Sequence, residues 1–223
     1  MALILSAATG NFNAGATWVG GIVPGAADEA RASTTHTVTI TANVTCTELS
    51  NAGTGLFILN SGVTLTANVT HKSATVNVNC LQFTAASPAT ATIVGNITGG
   101  SVASTTVFGA VNNTSSGALT ITGSVTGGTA SIAVGVNNNS TGTLTITGNV
   151  TAGSATVAIG ANNASTGSLI VVGNVTGGSA ADARGVSATS NGIIQVTGNV
   201  TGGTNASAYG VINFTAGSVT ITG

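Results

Sequence analysis

Charge is nearly absent from this sequence. Of 223 residues only three are Lys or Arg and four are Asp or Glu, for a formal net charge of −1. Such a chain has no field to attract nucleic-acid phosphates or an anionic membrane surface, so neither is expected as a partner. Aromatics are scarce too, with one Trp, one Tyr and five Phe, which speaks against the aromatic girdles of a transmembrane barrel. No apolar run approaches the roughly 18 residues of a membrane helix. Cys46 and Cys80 are too few for a disulfide scaffold and read as small buried hydrophobes. The opening MALILSAATGNFNAGATW has neither a basic lead nor a sustained apolar core, so no secretory signal is read there. The usual helix formers Leu, Lys and Glu are sparse.

What is present is glycine, 33 residues of it, together with Thr and Val, whose branched side chains suit pleated strands. Regularly placed Val, Ile and Leu along the whole length exclude disorder. One phrase recurs. TITANVT begins at Thr39, TLTANVT at Thr64, TIVGNIT at Thr92, TITGSVT at Thr120 and TITGNVT at Thr145; IVVGNVT follows at Ile170, QVTGNVT at Gln195 and TITG at Thr220. The spacings are 25, 28, 28, 25, 25, 25 and 25 residues. A fixed period of this size with strand-like content predicts a solenoid.

Within a unit, Leu144, Ile146 and Val150 fall on one face and Thr145, Thr147, Asn149 and Thr151 on the other, as a strand requires. Glycines such as Gly148, Gly153, Gly160 and Gly167 mark the corners. The expectation is an all-β, single-stranded parallel β-helix of about seven to eight coils, built from residues 39–223. Eight levels at the inter-strand distance rise roughly 35–40 Å. Residues 1–38 form an N-terminal cap or attachment segment carrying Phe12, Trp18, Pro24, Asp28 and Arg31. The phrase stops in mid-unit at Gly223, which predicts either a cut chain or a partner that completes the stack.

Side chains that break the pattern point to an interaction surface. Ala133, Ala158, Ala183 and Ala208 share one position, flanked by Ile132 and Val134, Val157 and Ile159, Asp182 and Arg184, and Ser207 and Tyr209. Unpaired charge is costly inside a solenoid. The Ala column is therefore placed inside and Ile132, Val134, Val157, Ile159, Asp182, Arg184 and Tyr209 outside, as an exposed strip for parallel self-association, most simply a homotrimer. The reverse parity, with Asp182 and Arg184 tolerated inside as a pair, is the alternative.

Chemistry looks poor. Cleaving a glycosidic bond takes two carboxyl groups, and Glu48 and Asp182 lie five units apart while Asp28 and Glu29 sit in the cap. His36 and His71 have no third ligand at metal spacing, so no metal and no cofactor is expected. The Gly-Gly pairs lack the Lys of a phosphate loop. Asn-x-Thr recurs at Asn43, Asn68, Asn96, Asn149, Asn174 and Asn199, a fixed place in the unit that favours a structural Asn over glycosylation. The Thr column 45, 70, 98, 126, 151, 176, 201 is similar to the arrays of ice-binding solenoids, but Ile170, Val172 and Gln195 interrupt the columns beside it.

The repeat GNVTGG…GV…SG.LTITG, as in residues 123–148 and 173–198, resembles parallel β-helix proteins of phage particles and bacterial surface passengers. The segment TWVGGIVPGAADEA is similar to the W-x-G-G-x-x-P-G-x-x-D stretch that opens β-helical regions in phage structural proteins. That resemblance implies a non-enzymatic virion part: a fibre, spike or capsid-decorating protein, docked by its N-terminal segment on other virion proteins. It would be assembled in the host cytoplasm without an export signal, and a host-surface glycan is a further partner the likeness allows. A bacterial surface adhesin is the alternative. A glycan-cleaving spike and an ice-binding solenoid rank below both.

Overall fold

The computed structural model describes residues 1–72, 80–83, 90–100, 108–129, 132–154 and 156–223, with the backbone alone at 108–110. It is an all-β parallel solenoid of about eight turns with a 25-residue spacing between equivalent strands. Among the described residues every strand pair is parallel, and the one antiparallel contact is an isolated bridge between Ser6 and Trp18. Parallel strands cannot be joined by a tight hairpin, so each unit spends its remaining residues travelling once around the coil.

Strand Thr143–Thr147 shows how the pattern becomes packing. Leu144 and Ile146 are fully buried, while Thr143, Thr145 and Thr147 face out. Register is strict: Leu119, Leu144, Leu169 and Ile194 form one column, and Ile121, Ile146, Val171 and Val196 form the next. A third column runs through Val69, Ile97, Val125, Val150, Val175 and Val200. Across the core stand Val111, Val136, Ala161 and Val186 from the opposite sheet.

The first sheet has 15 strands and forks. In Thr64–Thr70 the phrase reads TLTANVT and the strand is continuous. Its leading residues pair with Thr92–Val94 and its last two with Ile97–Thr98, because from there on glycine replaces Ala67 and cuts the strand in two. Gly95, Gly123, Gly148, Gly173 and Gly198 all hold φ between 144° and 151°. That backbone is accessible to glycine alone.

The second sheet stacks Phe108–Asn113, Ile132–Asn138, Val157–Asn163, Asp182–Ala188 and Tyr209–Asn213. It is kinked. A Cβ on Gly160 would press on Val175 Cγ1, and the next residue, Ala161, also belongs to the core, so two consecutive residues point inward. Gly135 and Gly185 repeat the arrangement against Val150 and Val200. A third sheet, Gly10–Asn11, Thr37–Ile40, Leu56–Leu59 and Leu81–Phe83, closes the early coils.

Two sequence expectations change here. Thr39 does not stack on Thr64; it pairs with Asn11 and Ile58 in the third sheet, while Val44 and Thr45 pair with Leu65 and Thr66. The similar phrase at Thr39 is thus out of register with the rest, because its leading residues pair with the early strands Gly10–Asn11 and Leu56–Leu59 in the third sheet. The Thr column accordingly starts at Thr70 and not at Thr45. Parallel pairing itself begins earlier than residue 39, with Leu3–Leu5 on Glu29–Ala32 and these in turn on Val44–Asn51. The boundary drawn at residue 39 coincides with no break in this pairing.

Candidate functional site

The cap residues look inward. Phe12 and Trp18 are buried, edge to face with centroids 5.1 Å apart, and Trp18 Nε1–H donates to the Phe12 carbonyl at 2.6 Å. Pro24 is buried as well. Asp28 is half-buried and its carboxylate accepts from the backbone of Ala2 at 3.3 Å and of Gly25 at 3.0 Å, closing a turn. Burial of Phe12, Trp18 and Pro24 leaves those three no surface to offer a partner. What the segment does expose is Met1, Leu3, Leu5, Val19 and Ile22. Leu3 and Leu5 alternate with the inward Ile4, a signal present in the sequence, but Val19 and Ile22 are outward because tight turns at Gly20 and Gly21, both with positive φ, carry them there.

Arg31 belongs to the main polar cluster of the molecule. Glu29 and Glu48 are register partners on adjacent strands, and Lys72, just past Thr64–Thr70, reaches both, with Nζ 3.0 Å from each carboxylate. Arg31 adds bonds to Glu29 of 2.7 and 3.1 Å, and Ser50 Oγ donates to the same oxygen at 2.5 Å. Burial alone would raise the Glu29 pKa; the hydrogen bonds from Ser50, Lys72 and Arg31, and the Arg31 charge, outweigh it and hold the group at about 2. Burial pulls the Lys72 pKa down, yet its bonds to Glu29 and Glu48 carry it above the usual lysine range. Four of the seven charged side chains thus form one neutralised cluster tying successive early coils. The repeat assigns Glu29 to the cap and Glu48 to the first coil, and their pairing across adjacent strands joins the two. A general acid needs a carboxyl that holds its proton near neutral pH, and Glu29 is held ionised far below it.

The strip on the second sheet is only partly outside. Ala133, Ala158 and Ala183 are buried, and the latter two pack with Ala152 and Ala180 in a small cluster of their own. Ile132, Val157 and Asp182 are half-buried. Val134 and Ile159, expected to be exposed, are 0% and 8% accessible. They precede the kink at Gly135 and Gly160, and the outer residues that follow it, Asn137 and Asn162, are withdrawn from solvent too. An exposed aliphatic strip centred on Val134 and Ile159 is therefore absent. Arg184 pairs with Asp182 at 2.8 and 3.2 Å and lies over the Phe214 ring, 5.4 Å from its centroid. Tyr209, the register partner of Arg184, is exposed.

Asparagine does more than the sequence reading credits. Asn68, Asn96, Asn149 and Asn174 each accept, through the side-chain carbonyl, the backbone N–H of the next level at 2.9–3.0 Å. At the turns after the second sheet, Asn138, Asn163 and Asn213 donate from Nδ2 to the carbonyl four residues on, at 2.8–3.3 Å, and Asn51, at the end of the first-sheet strand Val44–Asn51, does the same at 3.1 Å. The signal is the spacing Asn-x-x-x-Gly; among the described strands of the second sheet it lapses where Ala188 stands. On the outer side Asn112, Asn137 and Asn162 form an amide ladder that ends at Ser187; Asn162 Oδ1 and Ser187 Oγ are buried without a hydrogen-bond partner.

Cys46 and Cys80 are buried free thiols, and burial pushes both up, Cys46 to about 12, so neither forms a thiolate readily. His36 Nδ1 hydrogen-bonds Ser6 Oγ at 2.9 Å. Among the described residues no three His, Cys, Asp or Glu side chains gather as a metal would need, and no helix is long and apolar enough to cross a membrane. Set against family models, curated proteins and solved structures, the chain matches none of them.

Proposed function

We propose that this parallel β-solenoid is a non-enzymatic structural part of a phage virion, a fibre, spike or capsid-decorating protein, held to other virion proteins by its N-terminal segment. The observation that carries the reading is the set of apolar side chains exposed on the N-terminal segment. The solenoid is a stack of Thr, Val, Asn and Gly whose charged side chains, Glu48, Lys72, Asp182 and Arg184, are spent on internal pairing. Apolar side chains are exposed on the N-terminal segment that carries the Trp18-to-Asp28 motif, namely Leu3, Leu5, Val19 and Ile22. Exposed apolar side chains concentrated on one segment offer a contact surface. A rigid shaft with an apolar foot fits attachment to a particle, and its assembly would take place in the host cytoplasm.

The test is mass spectrometry of purified particles from the host that carries the gene. Peptides of this chain should appear at a fixed copy number, and the double variant Leu3→Asp, Ile22→Asp should fold yet be missing from particles. Particles of full mass that contain none of the chain would end the proposal.

A further inference from the structure

Burial takes Val134 and Ile159 out of the expected self-association strip on the second sheet, and the first sheet presents a different face. Its strands Thr90–Val94, Ala118–Thr122, Thr143–Thr147, Ser168–Val172, Ile193–Thr197 and Ser218–Thr222 stack in register. Three side chains from each point outward, and none of the eighteen is charged. Most are Thr or Ser. Among them stand aliphatic side chains open to solvent: Val172 is 45% accessible, Ile193 43% and Val94 38%, with Ile170 half-buried between Val172 and the rung of Ile193. Burying such residues is favourable, and nothing within the described chain covers them.

We infer that this face packs against the same face of a second copy of the chain, forming a two-fold dimer. Three observations choose that occupant. First, an uncharged face meets its own copy without like-charge repulsion, whereas a charged partner would leave ions unpaired. Second, columns of Thr and Val in strict register offer ridges and grooves of one spacing, so an identical sheet matches them as two sheets match in a sandwich, about 10 Å apart. Third, the area is that of a weak, concentration-dependent dimer. Six strands at about 4.8 Å and five residues at about 3.3 Å give roughly 480 Å² per copy, or about 1,000 Å² for the pair, near the lower limit of specific interfaces. A contact of one patch with itself closes as a dimer, unlike a head-to-tail contact.

The inference stands apart from the virion proposal, since a dimer in dilute solution needs no particle. Sedimentation velocity on the full chain between about 1 and 100 µM reads it. The native chain should sediment as a dimer in the upper part of that range. Val172→Lys and Ile193→Lys, each placing equal charges across the contact, should weaken the dimer at least tenfold while leaving the far-ultraviolet circular dichroism unchanged. Val157→Lys, at a half-buried outer position of the second sheet, should leave the dimer intact. A native monomer throughout the range overturns the inference. So does a dimer that survives Val172→Lys and Ile193→Lys, or one lost only in Val157→Lys, which would return the contact to the second sheet.

Discussion

Glu29 is the residue on which most of the chain's charge converges, and its ionisation carries a measurable consequence. Its folded pKa, about 2 against an ordinary 4.5, is depressed. A depressed carboxyl contributes stability that is fully present above the unfolded value and is lost as pH falls through the folded one. The window is therefore about pH 4.5 down to about 2, and the contribution lost across it is up to about 3 kcal/mol. Glu29→Gln should flatten this acid limb. At neutral pH the same change should cost about 3 kcal/mol, because Lys72 and Arg31 lose the carboxylate they share. Urea midpoints taken from pH 7 to pH 2.5 check both statements; an acid limb as steep in the variant as in the native chain would assign the acid sensitivity to another group. This cluster was not legible beforehand. Glu29, Glu48 and Lys72 are far apart in sequence, and their meeting depends on a register shift between Thr45 and Glu48 that no local pattern announces.

At the scale of the strand the sequence was far more readable, because period-two alternation and a 25-residue repeat leave few registers that bury every Leu, Ile and Val. The columns through Leu144, Ile146 and Val150 are those the alternation implies. The first phrase misled for the same reason the others succeeded: TITANVT resembles its successors in composition, but its position in the coil is set by the cap strands it pairs with. The difference between Ala67 and Gly148 has a testable meaning. Ala67 lies within a continuous strand, whereas Gly148 holds φ 150° and a Cβ added to it would run into the Gly123 carbonyl of the preceding level. Gly148→Ala should cost about 2–3 kcal/mol, from backbone strain plus that contact. Ala67→Gly, which gains only freedom in the unfolded chain, should cost about 1 kcal/mol. Denaturant midpoints decide it, and equal penalties at the two sites would mean that the strand break does not rest on the glycine.

For the whole molecule the relevant property is that each level touches chiefly its two neighbours. Strand pairs join residues 25 apart from Ala118 onward, and the amide ladders bridge the same interval. A stack of this kind has stability that is close to a sum of level and interface contributions, so its length should be adjustable in whole units only. Deleting residues 145–169 joins Leu144 to Ile170, whose register neighbour in the level below is Thr145 itself. Every remaining column is then restored: Leu144 still stacks on Leu119, and Val171 meets Ile121 as Ile146 did. Deleting residues 145–157 instead sets the first sheet of one level against the second sheet of the next, and turns buried Val and Leu toward solvent. The whole-unit deletion should fold cooperatively, with a circular dichroism spectrum of native shape and a urea m-value reduced in proportion to the surface removed. The half-unit deletion should lose the cooperative transition. If both shortened chains unfold alike, the levels are not interchangeable, and the irregular N-terminal coils, with their single buried charge cluster and Trp18 packing, must be setting the register of everything stacked on them.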